Sequence, residues 1–272
     1  MSNVSYLYCE LPAFIRKPIW RILHRIIISK DVGKEVVFMN YGFAYNGDAA
    51  AAAPKLHDRD EGDRYCIQLY DLVGGKPQDI TGKRVLEVGC GRGGGASYLT
   101  RYFEPEWYTG IDISQNVVAF CKKCHSQDNL SFLRGEAENL PLEDASVDTV
   151  INVESSRCYG DKARFFREVN RVLSPGGTLL FADMREPHEV DLLEEQFSTN
   201  GLSVTEKENI TAGVVRALDE DHNRRIEVMT RLTPWFLRRA VPDFAGVVNS
   251  NRYTSFTDGS MLYLRYRAEK IG

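Results

Sequence analysis

Seven short segments read as strands along the chain: Val85–Val88, Trp107–Ser114, Leu130–Arg134, Val147–Glu154, Thr178–Ala182, Leu202–Thr211 and Met261–Arg267. The apolar ones, such as Val85–Val88, lack a polar face and predict strands buried on both sides. Between them, apolar residues recur at helical spacing. Arg64–Val73 carries Tyr65, Ile67, Leu69 and Tyr70 on one side, and Lys162–Leu173 carries Phe165, Phe166, Val169, Val172 and Leu173. Helical patterns also follow at Val117–Cys124, at Glu189–Phe197 and, as a long insertion, from Ala212 to about Ala245. Strands alternating with helices predict an α/β fold with a doubly wound parallel sheet. Ser174-Pro175-Gly176-Gly177 reads as a turn into the fifth strand.

The first strand runs into Gly89-Cys90-Gly91-Arg92-Gly93-Gly94-Gly95-Ala96, which then opens a helix. Glycines at a strand's carboxyl end allow a sharp turn and close backbone approach to a ligand. Gly89, Gly91 and Gly94 satisfy the spacing of dinucleotide enzymes, so that spacing alone does not fix the cofactor. Glu87 changes the balance. A carboxylate two residues before the first glycine repels a diphosphate and suits a cationic group. Asp112, 23 residues after Gly89 at the end of the second strand, falls where this fold sets an acid against ribose hydroxyls, with Ile113 beside it.

Glu87, Gly89, Gly91 and Gly93 resemble motif I of the class I S-adenosylmethionine (SAM) dependent methyltransferases, an acid followed by Gly-x-Gly-x-Gly. Gly135-Glu136-Ala137-Glu138-Asn139-Leu140-Pro141-Leu142 resembles the segment that holds the adenine edge in that family, with Glu136 standing where Asp is usual and the Ala137 backbone still able to serve. The amphipathic helix, Pro-Gly-Gly and apolar strand from Lys162 to Ala182 are a further family hallmark. The resemblance implies a Rossmann-like seven-stranded SAM-methyltransferase sheet with an N-terminal helical lid and a helical insertion between the last two strands. It implies SAM as cofactor and one domain over 1–272: an N-terminal lid segment 1–80, a SAM-binding core 81–185, and a C-terminal part 186–272 whose insertion at about 212–245 helps form the acceptor pocket. Trp235, Phe236 and Leu237 beside Arg238 and Arg239 fall where relatives build that pocket's roof.

Composition narrows the partners. With 43% hydrophobic residues and a net charge of −4, the 272-residue chain can bury a core and offers no basic field for nucleic acid. It shows no signal peptide and no apolar run of about 18 residues, which predicts a cytoplasmic protein. Six scattered cysteines read as reduced thiols. Cys121-Lys122-Lys123-Cys124-His125 matches a haem-attachment pattern, but it lies within a helical pattern and reads as thiols on a helix face. Residues 11–30 hold five lysines and arginines and no acid, with Ile19, Ile22, Leu23, Ile26 and Ile27 at helical spacing. Such a helix suits an anionic membrane surface or, the reading favoured, a cover over the cofactor cleft. Tyr41, Phe43 and Tyr45 are lid candidates or ordinary core aromatics.

The fourth strand delivers Asn152-Val153-Glu154-Ser155-Ser156-Arg157-Cys158-Tyr159 to the same edge as the glycine loop. Asn152 is thereby a cofactor contact, and Glu154, Arg157 and Tyr159 are catalytic candidates, with His188, His125 and His57 behind them. Transfer to a neutral hydroxyl benefits from a base within hydrogen-bond reach, and Glu154 is the expected one. Arg157 stays protonated and cannot take a proton, though it can bind an acidic acceptor. No metal-ligand triad follows the fourth strand, and Cys158 lies among apolar neighbours, where thiols are inert. Over nearly its full length the chain resembles bacterial O-methyltransferases of the phthiotriol/phenolphthiotriol dimycocerosates type, which methylate lipid or polyketide hydroxyls. An apolar small-molecule or lipid acceptor follows from that resemblance. An N- or C-methyltransferase of a natural product and a SAM-binding scaffold that transfers nothing are the alternatives.

Overall fold

A computed structural model of the chain describes residues 36–232 and 246–271. The strands are β1 (Arg84–Val88), β2 (Trp107–Asp112), β3 (Leu130–Arg134), β4 (Val147–Val153), β5 (Leu173–Arg185), β6 (Leu202–Asn209) and β7 (Leu262–Lys270). They form one sheet in the order β3-β2-β1-β4-β5-β7-β6. The first five pair with one another in parallel, and β7 inserts antiparallel between β5 and β6. The longer helices are α1 (Arg64–Gly74), α2 (Gly94–Phe103), α3 (Gln115–Cys124), α4 (Lys162–Val172), α5 (Val190–Thr199), α6 (Thr211–Glu220), α7 (His222–Leu232) and α8 (Asn251–Thr257).

Each face of the sheet carries its own apolar cluster. Ile67, Leu69, Val85, Leu99, Val214 and Phe256 belong to one, and Leu86, Val88, Phe165, Phe166, Val169 and Phe197 to the other. Successive residues of β1 alternate between the clusters, as a two-residue repeat requires. Glu87 therefore shares the face of Val85 and enters an apolar layer. The chain leaves β1 for β2 and β3 on one side, whereas β4 and β5 lie on the other. That reversal opens a crevice at the carboxyl ends of β1 and β4, where open α/β sheets bind ligands.

Several boundaries depart from the sequence reading. Ser174–Gly177 is not a turn before β5 but an excursion inside it: Leu173 pairs with Val147, and pairing resumes at Thr178 opposite Thr149. Gly176, at φ 72°, absorbs the extra chain. β6 stops at Asn209, not Thr211, because the Asn209 side chain accepts from the Thr211 amide at 3.1 Å in a turn that leads into α6. The insertion is not one helical run. Among the described residues α6 and α7 follow each other, and α8 lies beyond Ala245. β7 extends to Lys270, past Arg267, because β5 and β6 both pair with it that far or nearly so. The basic helix expected over 11–30 and the Trp235–Arg239 roof lie outside the described residues. No helix among the described residues is long and apolar enough to cross a membrane.

Candidate cofactor and acceptor site

The glycine loop is hung from β2. The amides of Gly89 and Cys90 both donate to the Ile111 carbonyl, at 2.8 and 3.0 Å. Gly89 and Gly91 have φ of 78° and 51°, in the left-handed region. Their surroundings differ. A Cβ on Gly89 would stand 2.4 Å from Ser155 Oγ and 3.0 Å from the Tyr159 hydroxyl, whereas one on Gly91 meets nothing within 4 Å. Gly91 thus borders open space. Gly93 also takes positive φ, and behind it His125 Nε2 bonds the Arg92 carbonyl at 2.8 Å.

Glu87 is buried beneath this loop. The hydroxyls of Tyr70 and Tyr108 donate to its two oxygens, at 2.7 and 3.0 Å. Burial raises its pKa to about 7, against the lowering effect of the two phenols. Folded and unfolded chains therefore bind protons differently. The folded-state pKa lies above the ordinary glutamate value of 4.5, so the folded chain holds the extra proton between about pH 4.5 and 7. Glu87 then favours folding most below that window and loses roughly 3 kcal/mol of that contribution as pH rises through it. Denaturant titrations across pH 5 to 8 should show stability falling with pH, and Glu87→Gln should flatten the slope.

Asp112 closes β2 within reach of the loop. It accepts from the Ser114 amide at 2.8 Å and from the Gly91 backbone, and burial nevertheless lifts its pKa to about 6. Ser114 itself caps α3, so capping does not consume Asp112. The Gly135 amide bonds the Asp112 carbonyl at 3.1 Å, which brings Glu136 and Ala137 alongside Ile113. The Glu136 side chain is exposed there and Ala137 is buried. Asn152 is fully buried. Its amide nitrogen donates to the Val88 carbonyl, Ser155 Oγ and the Tyr159 hydroxyl at 2.8–2.9 Å. Tyr159 is thus bound into the back of the loop, its hydroxyl also touching Ser155 Oγ at 2.7 Å.

Glu154 follows β4 directly and has φ 51°. A left-handed, non-glycine residue costs on the order of 1 kcal/mol, and such strain collects at functional sites. Its amide bonds the Ala182 carbonyl of β5 at 2.8 Å, which fixes the residue in place. Oε1 accepts from the Tyr41 amide and from the Tyr263 hydroxyl, each at 2.7 Å. Oε2 has no hydrogen bond among the described residues. Burial raises the Glu154 pKa to about 7; the two donors and Arg225 act against the rise, and Asp183 adds to it.

Tyr41 belongs to a strap, residues 36–45, laid across this edge. Val37 accepts from the Gly94 amide at 3.1 Å, and Ala44 accepts Arg216 Nη1 at 2.9 Å while donating to Gly213. Arg225 reaches the Tyr41 carbonyl at 2.9 Å, so the Tyr41 backbone is held on both sides. The Tyr41 ring meets Phe256 edge-on, and Phe43 meets Tyr45. Arg157 faces elsewhere: its amide bonds Asp183 and its guanidinium reaches Glu189, the Met184 carbonyl and Met261. The structure does not join Glu154, Arg157 and Tyr159 into one cluster. His188 is exposed, and the His57 ring packs on Tyr102. Sequence reasoning missed Tyr263, Tyr70, Tyr108 and Arg225. Alternation along β7 signals which way Tyr263 faces, but nothing local signals its partner. Cys66, Cys90 and Cys121 are buried thiols outside any disulfide.

A methyltransferase-domain family model matches residues 86–181. A phthiotriol/phenolphthiotriol dimycocerosates methyltransferase from Mycobacterium leprae (strain TN) is 38% identical over 254 residues, 93% of this chain and 93% of that protein. This chain belongs to the class I SAM-dependent methyltransferases. The methyltransferase is also 39% identical to a fatty-acid O-methyltransferase of Mycolicibacterium smegmatis, over 80% of this chain and 78% of that one. Its fold is shared with the [4+2]-cyclase SpnF, at a TM-score of 0.67 and 21% identity, over 94% of this chain and 95% of that one. SAM is the methyl donor of the family.

Proposed function

We propose that this methyltransferase methylates a hydroxyl of an apolar lipid, polyketide or similar small molecule, with Glu154 as the base. The observation that carries the reading is the Glu154 carboxyl: one oxygen held by two hydrogen bonds, the other with none among the described residues, and a pKa of about 7. A group tuned near neutral pH is half ionised where it works, which favours proton acceptance. Tyr41 and Phe43, packed against the apolar cluster that holds Phe256, supply apolar surface at the same edge, in keeping with the lipid acceptors in the relatives' names.

The residues fit the cofactor. The open side of Gly91 leaves room for a nucleoside, and Asp112 beside it offers a carboxylate to ribose hydroxyls. Gly89 and Gly93 shape the turn, Ile113, Glu136 and Ala137 border the base, and Glu87 and Asn152 support the loop from below, with Glu87 lending negative charge toward the methionine ammonium. SAM supplies a methyl group activated by its sulfonium. Glu154 Oε2 takes the hydroxyl proton as the acceptor oxygen is alkylated, and the strap keeps water out. Arg157 and Tyr159 act at one remove, Arg157 by fixing the turn after β4 and Tyr159 by backing the glycine loop.

The test is direct. Incubation with trideuteromethyl SAM and a long-chain diol should yield a labelled methyl ether by mass spectrometry. Labelled ester from oleic acid alone would move the acceptor to a carboxylate. SAM binding without transfer to either probe, or to amine and carbon acceptors of similar length, would leave the scaffold reading.

A further inference from the structure

We infer that Tyr263 is a positioning residue for methyl transfer: with the Tyr41 amide it pins Oε1 of Glu154, so that Oε2 is the oxygen presented to the acceptor. The inference rests on the reading of Glu154 as base. Tyr263 and Tyr41 lie 109 and 113 residues from Glu154 in sequence, one in the last strand and one in the strap. A carboxyl oxygen has two lone pairs, and two donors at 2.7 Å use both. Rotation of the carboxyl would break both bonds, so the choice between the oxygens is fixed before any acceptor arrives.

The phenol is well placed for this and for little else. Tyr263 is fully buried beside Phe256, opposite Met184 in the β5–β7 register. Its amide donates to Thr211 Oγ1 at 2.8 Å and its carbonyl accepts from Ile210 at 2.9 Å, which ties this point of β7 to the start of α6. Its hydroxyl bonds Glu154 and no other described residue. Burial and the neighbouring carboxyl hold the phenol protonated, so it keeps the proton that it donates to Glu154. The second donor comes from the strap, whose Tyr41 carbonyl Arg225 grips. The strap therefore supplies one of the two donors that pin the carboxyl, and Tyr263 the other.

The charged and titratable groups acting on Glu154 are Asp183 at the end of β5, which opposes ionisation, Arg225 of α7, which favours it, Tyr263 of β7 and Tyr70 of α1. Removing the Tyr263 donor takes away a bond that favours the carboxylate, so the carboxyl must titrate at higher pH.

Infrared titration reads this without an acceptor. The protonated-carboxyl band lost in Glu154→Gln should titrate near pH 7 in the wild type. In Tyr263→Phe the midpoint should rise by about one pH unit. Incorporation of 3-fluorotyrosine at 263 preserves the packing and strengthens the donor, so the midpoint should fall. With the diol as probe, the acid limb of kcat should follow the same shifts while the KM for SAM stays within about twofold. A merely packed tyrosine would lower kcat without moving the limb. Unmoved midpoints in both 263 variants overturn the inference, even if Glu154→Gln is inactive. A Glu154→Gln enzyme as active as the wild type overturns the base reading itself, and with it the role of Tyr263.

Discussion

Glu154→Gln is expected to lower turnover between about a hundredfold and ten-thousandfold, the usual contribution of a positioned general base. The substitution is conservative in shape, and its amide oxygen can still accept from Tyr41 and Tyr263. What changes is the other position, where an NH₂ group replaces Oε2 and cannot take a proton. Affinity for SAM, measured by calorimetry, should stay within about threefold, because Glu154 meets the strap and β7 rather than the glycine loop. The wild-type rate should rise with pH through about 7, since the base must be ionised, and that limb should vanish in the variant. Unchanged turnover with a lipid hydroxyl probe would remove Glu154 as base.

Gly89→Ala should abolish measurable SAM binding. Two effects add at this position. A left-handed φ of 78° costs an alanine about 1–2 kcal/mol, and the new methyl would lie 2.4 Å from Ser155 Oγ. Ser155 cannot step aside cheaply, because its hydroxyl is bonded to Asn152, Tyr159 and the Val88 carbonyl. The loop must therefore shift, and with it the amides that hang it from Ile111. We expect at least a hundredfold loss in SAM affinity by calorimetry and a melting temperature lower by several degrees. Gly91→Ala is the control. It carries a similar backbone cost but meets no atom within 4 Å, so stability should fall less than in Gly89→Ala while the cofactor side of the loop is obstructed. Wild-type affinity in Gly89→Ala would show that the loop tolerates displacement and does not grip the cofactor.

How far the chain could be read in advance differs from one element to the next. The apolar run of β1, the glycines after it and the helical spacing of α4 declare themselves within ten or so residues, because strand and helix periods are local properties. The Pro-Gly-Gly segment was legible as a break but not as an excursion within β5, since that depends on where Val147 and Thr149 find partners. Asp112 was legible as an acid ending a strand, and its closeness to Gly91 follows from parallel pairing of β1 with β2. Arg157 was a candidate by position alone. Its diversion to Glu189 and Met184 depends on a helix and a strand end that no local pattern links to it.

The order of strands and helices, the glycine loop and the two acids beside it are determined by the sequence alone, for period and backbone freedom are written into neighbouring residues. Only the tertiary structure decided that Glu87 lies between two phenols and that Glu154 keeps one oxygen unbonded among the described residues. Those facts arise from contacts between residues far apart in the chain. Burial and hydrogen bonding, which set a carboxyl's charge and direction, exist only once the sheet, the strap and β7 have been brought together.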